Sequence, residues 1–353
     1  MPAQSFTTTP RMRLIVLMAA LGTWGATLTA QEGTTDRTPK IGGTLRSKYE
    51  YQTAEGKGRF QVRTARVNIR GNLSAMVAYK AEIDLCDEGQ IKMLDAYTTL
   101  SPTPSLGLTI GQMRVPFTID AHRSPHSQYF ANRSFIAKQV GNIRDVGAKL
   151  EWALHPGFPV RVEAGAYNGS GLTDQKDFWT SSVNFSAKAQ LLLPIGLNAV
   201  LSAQKIKPDA VTVMMYDVGL NYHHRRWMAE AEYLYKHYGC GAFAPVHAVD
   251  VMGCYDIPLR HKLFTQMSLL ARYDYMSDHS DGRRYADGAV SSQGSLIIND
   301  YRRSRVTAGF TLSMDKPFVS DLRINYEKYM YGHNAIVKPS EGDKIVVEVV
   351  THF

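Results

Sequence analysis

From Arg59 onward, apolar and polar side chains alternate along the chain. In an extended strand every second side chain points to the same face, so a period of two marks a strand with one apolar and one polar face. Ala65, Val67 and Ile69 alternate with Arg66, Asn68 and Arg70, and Val146, Ala148, Leu150 and Trp152 alternate with Asp145, Lys149 and Glu151. The same split recurs over 183–191, 227–236 and 305–312. The pattern predicts sixteen strands, the first over Ile41–Tyr51 and the last over Lys344–Phe353, with no helical stretch of any length.

A soluble all-β domain would also alternate, and the joints between runs separate the two cases. Short joints are read at 71–75, 101–105, 155–158, 193–196, 223–225, 257–261 and 314–317, most of them carrying Pro or Gly. The joints between these fall at 53–58, 87–89, 115–143, 169–178, 207–213, 239–244, 277–300 and 332–343, several of them much longer. Tight turns at one rim and extended loops at the other are the signature of a transmembrane β-barrel, which needs an even strand number and strands of ~9–11 residues. Nearly every run reaches that length. Closure is obligatory, because an open sheet edge would leave backbone N–H and C=O groups unpaired in hydrocarbon. The expected fold is therefore all-β, a transmembrane antiparallel barrel of about sixteen strands.

The N-terminus reads as an export leader. Arg11 and Arg13 precede an apolar run from Leu14 to Leu21, and cleavage is expected after Ala30, leaving 31–353 as a single barrel domain. Met12 serves equally as the start. The apolar run is too short for a spanning helix, which needs ~20 residues. The formal charge of +8 falls to +6 without Arg11 and Arg13, and the basic residues form no nucleic-acid-binding block. Cys86, Cys240 and Cys254 are odd in number and match no disulfide framework or zinc pattern. No metal or cofactor is called for.

The last run ends on an aromatic: Ile345, Val347, Val349, Thr351 and Phe353 alternate with Val346, Glu348, Val350 and His352. This resembles the C-terminal signal by which outer-membrane proteins are recognised for insertion. Five further landmarks lie upstream: Ala65-Arg66-Val67 through Gly71, Leu94-Asp95-Ala96-Tyr97, Ile110-Gly111-Gln112-Met113-Arg114-Val115-Pro116-Phe117, Arg144-Asp145-Val146-Gly147 and Ala166-Tyr167-Asn168-Gly169. In order and spacing they resemble the phosphate- and polyphosphate-selective outer-membrane porins, over roughly 40–353 and most sharply in the first half. The resemblance implies a sixteen-stranded homotrimeric barrel in outer-membrane lipid, a third loop folded into the lumen, and basic side chains lining a channel for small anions such as phosphate or polyphosphate.

The longest joint, 115–143, falls where such porins place the constriction loop. With its flanks it holds Arg114, Arg123, Arg133, Lys138 and Arg144 against one carboxylate, Asp120. Rings of Arg and Lys are how anion pores select. Strand parity adds Arg66, Arg70 and Lys149 to the candidate pore-lining, anion-binding set. The same parity turns inward a nearly equal number of carboxylates, among them Glu82, Asp95, Glu163, Glu230, Asp274 and Glu327. A general porin of mixed selectivity therefore stays open beside the anion channel. A surface adhesin carried by the loops at 277–300 and 332–343 is a further alternative, since loops of that length are often functional. An enzyme is disfavoured, because no histidine stands at a telling spacing from a nucleophile and no catalytic residue is assigned. His223 and His224, adjacent in a tight turn, read as solvated rather than as a metal pair.

Overall fold

The computed structural model describes residues 36–139, 143–154, 159–172, 175–207, 211–239, 243–278, 301–315, 319–332, 337 and 339–353. The expected leader 1–30, Cys240, the expected turn 155–158 and most of the expected loop 277–300 lie outside them.

Among the described residues sixteen antiparallel strands close into one barrel. They are β1 (Lys40–Gln52), β2 (Lys57–Asn72), β3 (Val77–Asp87), β4 (Gln90–Thr103), β5 (Leu106–Arg114), β6 (Arg144–Ala153), β7 (Val160–Tyr167) and β8 (Asn184–Leu192). They continue as β9 (Leu197–Ile206), β10 (Val213–His224), β11 (Trp227–Tyr238), β12 (Val246–Pro258), β13 (Gln266–Met276), β14 (Arg303–Met314), β15 (Val319–Tyr331) and β16 (Lys344–His352). Each strand pairs with its sequence neighbours, and β1 pairs with β16 to shut the ring, Thr44 opposite His352 through Gln52 opposite Lys344. Phe353 completes the seam: its carbonyl accepts a hydrogen bond from Gly43 N at 2.9 Å, and its ring lies where a Cβ on residue 43 would stand.

The burial pattern is inverted relative to a soluble protein. Outward positions such as Ile41, Leu45, Val67, Ile69, Leu201, Val218 and Val349 are exposed, while Arg46, Asp84, Glu230, Arg305, Arg323 and Glu348 are buried inside. A barrel whose outer surface meets lipid needs this arrangement. The chain ends and the short turns share one rim, and the longer loops share the other. The shortest joint on the long-loop side is the two-residue hairpin Glu88-Gly89, with φ of 56° and 98°, the left-handed pair a type I′ turn requires.

The segment between β5 and β6 folds back into the barrel as the third loop. It carries a 3₁₀ turn, Pro125–Ser127, and one short helix, α1 (Phe135–Gln139), capped by Ser134, whose Oγ accepts from Ala137 N at 3.2 Å. The landmark glycines shape its base. A Cβ at Gly111, where φ is +132°, would strike the Ala96 carbonyl, and one at Gly147 would strike the backbone of β7 at Ala166 and Tyr167. Their absence lets β5 and β6 close around Tyr167, which packs with Met113 and Val115.

Candidate functional site

The third loop crosses the lumen by hydrogen bonds to successive strands. Its entry is held by β8, β9 and β11: Ser186 Oγ donates to Pro116 O at 2.7 Å, Lys188 Nζ to Thr118 O at 2.6 Å, Thr118 N to Ser202 Oγ at 3.1 Å, and Ile119 N to Glu232 at 2.5 Å. Its tip reaches β1 and β15, where Arg46 donates to Gln128 Oε1 and Ala131 O, each at 2.7 Å, and Ala131 N donates to Asn325 Oδ1 at 2.9 Å. Its return is held by β13 and β14, through Phe135 N to Asp274 Oδ1 at 3.1 Å and Arg305 to Arg133 O at 2.7 Å.

The loop also covers apolar lumenal side chains. Phe135 and Ile136 are fully buried against Val213, Met215, Leu234, Ala248 and Met276, and Phe130 packs on Met228, Met252, Cys254 and Leu270. Arg303 and Arg305 lie over the Phe135 ring at 4.7 and 4.8 Å. Asp120, the loop's carboxylate, is internal to it, accepting from Ser134 N at 2.9 Å and Ser134 Oγ at 3.1 Å. Arg123 and Arg133 overcome the cost of its burial and hold its carboxyl below the usual range.

Opposite the covered side, β2–β6 carry a charge network that balances. Arg66 Nε bonds Asp84 at 3.0 Å, Lys80 bonds Glu82 at 2.7 Å and Asp95 at 2.6 Å, and Arg144 reaches Asp95 at 2.6 Å and Glu82 at 3.3 Å. Three cations meet three carboxylates. Lys149 is likewise matched by Glu163 at 2.5 Å.

Two guanidinium groups facing this network have no such match. Arg114 donates to His122 O at 2.6 Å and interacts electrostatically with Arg144, Arg66 and Arg133. Arg133 donates to the carbonyls of Asp120 and Arg123, the latter at 2.7 Å. Neither has a carboxylate within 4.0 Å among the described residues. Burial brings Arg133 down to about 10, with Asp120 opposing and Arg46, Arg66 and Arg123 adding to the effect, so it stays charged at neutral pH. Arg66 Nη1 is buried with no hydrogen-bond partner.

Of the eight candidates, Arg66, Arg114, Arg133 and Arg144 thus converge, with Lys149 close by on β6. Arg123 lies on the loop beside Arg133, but Glu230 takes it bidentately at 2.5 and 3.2 Å and Asp120 at 3.3 Å. Lys138 stands apart, 3.5 Å from Glu341. Arg70 lies at the short-turn rim, opposite Lys40 in the β1–β2 register. Alternation in β1 also marks Arg46, Lys48 and Glu50, which the candidate set omitted. All three are buried on the lumenal face, and Arg46 is held by Glu348 at 2.6 Å.

A family model described as phosphate-selective porin O and P matches residues 40–238, more than half of the chain. The chain belongs to that family. Solved structures agree in fold across the whole barrel. An anion-selective porin from Comamonas acidovorans is similar at a TM-score of 0.63 and 12% identity, with 90% of this chain and 100% of that one covered. OmpT of Vibrio cholerae, in its trimer form, gives 0.61 and 12% over 90% and 98%. The outer-membrane channel DcaP of Acinetobacter baumannii gives 0.60 and 14% over 92% and 100%. The search of curated proteins returned no match. The protein is an outer-membrane porin, a barrel built as a channel, and anion selectivity fits its family.

Proposed function

We propose that this porin passes small anions, with phosphate or polyphosphate as its solutes, and that Arg114 and Arg133 recruit them at the constriction. The observation that carries the reading is the pair of carboxylate-free guanidinium groups facing a wall whose own charges cancel. A unit charge pair at ~4 Å is worth ~1 kcal/mol in water and ~4 kcal/mol near a protein surface, so two unmatched charges in a narrow neck suffice to bias traffic without trapping it. Arg also offers planar paired donors that fit phosphate or carboxylate oxygens. Arg66, Arg144 and Lys149 act in the same reading as a neutral, polar wall.

Assembly as a homotrimer and export through a leader cleaved after Ala30 belong to the same proposal, supported by the trimeric neighbour and by the charged and apolar pattern of residues 11–30. No catalytic role is assigned. The test is single-channel current in a planar bilayer with phosphate titrated against chloride. Block of the chloride current by phosphate is expected. Conduction without block would make the protein a general porin.

A further inference from the structure

The charge network on β2–β6 balances, yet the chain as a whole is basic by eight charges. Four of the basic side chains sit on two neighbouring turns of the short-turn rim: Arg225 and Arg226 between β10 and β11, and Arg260 and Lys262 between β12 and β13. All four are exposed, and none has a carboxylate within 4.0 Å among the described residues. The two turns follow one another along the rim, and the first is tied to the strand that leads into the second, since Asp256 N of β12 donates to Arg226 O at 2.9 Å. The nearby carboxylates are engaged elsewhere: Asp256 accepts from Ser268 Oγ at 2.6 Å and Asp315 from Thr265 Oγ1 at 2.9 Å. His223, His224 and His261 add exposed imidazoles to the same patch.

What adjoins the patch decides its partner. On the lipid-facing side Trp227 packs at a tilt against Tyr255 with ring centroids 4.5 Å apart, and Tyr222 stacks on His224 at 6.2 Å. Aromatic girdles mark the level of the headgroups in such barrels. The β10–β11 turn has only two residues, with Arg225 in the left-handed region at φ 55°, so its charges cannot rise far from that level. Basic residues at this height attract anionic headgroups, and Arg matches phosphate oxygens with paired donors.

We propose that the two turns at 225–226 and 259–265 dock the anionic phospholipid headgroups of the leaflet at that rim, so that one sector of the barrel gathers anionic lipid. The test uses the whole barrel in bilayers of phosphatidylcholine mixed with phosphatidylglycerol, with retained lipid counted by native mass spectrometry. Each basic residue near an anionic surface contributes about a five-fold preference. The variant Arg225→Gln/Arg226→Gln/Arg260→Gln/Lys262→Gln is therefore expected to lose roughly tenfold or more of the phosphatidylglycerol preference. Lys57→Gln/Arg59→Gln at the opposite rim is expected to keep it, and unchanged conductance and heat-modifiable mobility report an intact barrel. Equal retention by the four-site variant and the native protein overturns the proposal. Displacement of the lipid by millimolar inorganic phosphate at constant ionic strength overturns it too, since the patch would then be a site for free phosphate. Retention is read without current, so its failure and failure of the anion-channel reading are separate results.

Discussion

Strands β2–β6 face the lumen with a network of matched charges that includes Arg66, Lys80 and Arg144, whereas β10–β13 face it with Val213, Met215, Leu234, Ala248 and Met276 in the same inward register. The first wall is left partly open to water at Arg66, Lys80 and Lys149, and the second is closed over by the third loop. Apolar side chains inside a water-filled barrel are stable only under a lid, and Phe135 and Ile136 provide it. The loop is thereby part of the core, and its position forces solutes toward the charged wall. In the proposed reading, selectivity then depends on the two arginines outside the balanced network, Arg114 at the end of β5 and Arg133 on the loop.

The largest change is expected from removing the lid. Phe135→Ala/Ile136→Ala deletes two fully buried side chains, at about 3–5 kcal/mol for the aromatic alone. The loop should leave the apolar wall, raising single-channel conductance and weakening selectivity while the barrel stays closed. Unchanged conductance would show that its polar anchors suffice. Next comes Asp274→Ala, which strips the carboxylate from Arg272 and Arg305 at 2.9 and 2.8 Å and frees Phe135 N. Removing one partner of a buried ion pair costs about 3–5 kcal/mol. The variant should unfold at lower denaturant and expose the third loop to protease.

A smaller effect is expected on the open wall. Arg144→Gln leaves Glu82 and Asp95 with only Arg66 and Lys80 between them, so the reversal potential should move toward cations. No movement would place Arg144 outside the solute path. The smallest effect concerns pH. Lys138 keeps a third of its side chain open to lumenal water, but protein surrounds it, and that burial, aided by Arg305 and opposed by Glu341, brings it down to about 8. Its charge therefore leaves the mouth as pH rises through about 8, and anion preference should fall slightly between pH 7 and pH 9 in the native protein but not in Lys138→Met. Between that value and the ordinary lysine range the folded chain binds fewer protons here than the unfolded one, so this group's contribution to stability rises with pH over the same window.

Much of the barrel is legible in alternation alone. The joints at 193–196 and 115–143 coincide with the observed ones, and strand parity turns Glu82, Asp95, Glu230 and Glu327 inward, where the structure buries them. The covered wall also left a trace. Met228 and Leu234 share the parity of Glu230 and Glu232, so apolar residues in lumenal register already signal a lid. Pairing is what a single strand cannot tell. Arg123 meets Glu230 across 107 positions of sequence, and Lys138 meets Glu341 from another loop. Strand register and barrel closure bring these partners together, and no local spacing encodes them.

The reversal potential across a salt gradient, compared between the native porin and Arg114→Gln/Arg133→Gln, tests the assignment of selectivity most directly. Anion selectivity in the native pore, reduced to near neutrality in the double variant with conductance retained, is the predicted result. The same anion selectivity in both would contradict it and move selection to another part of the channel.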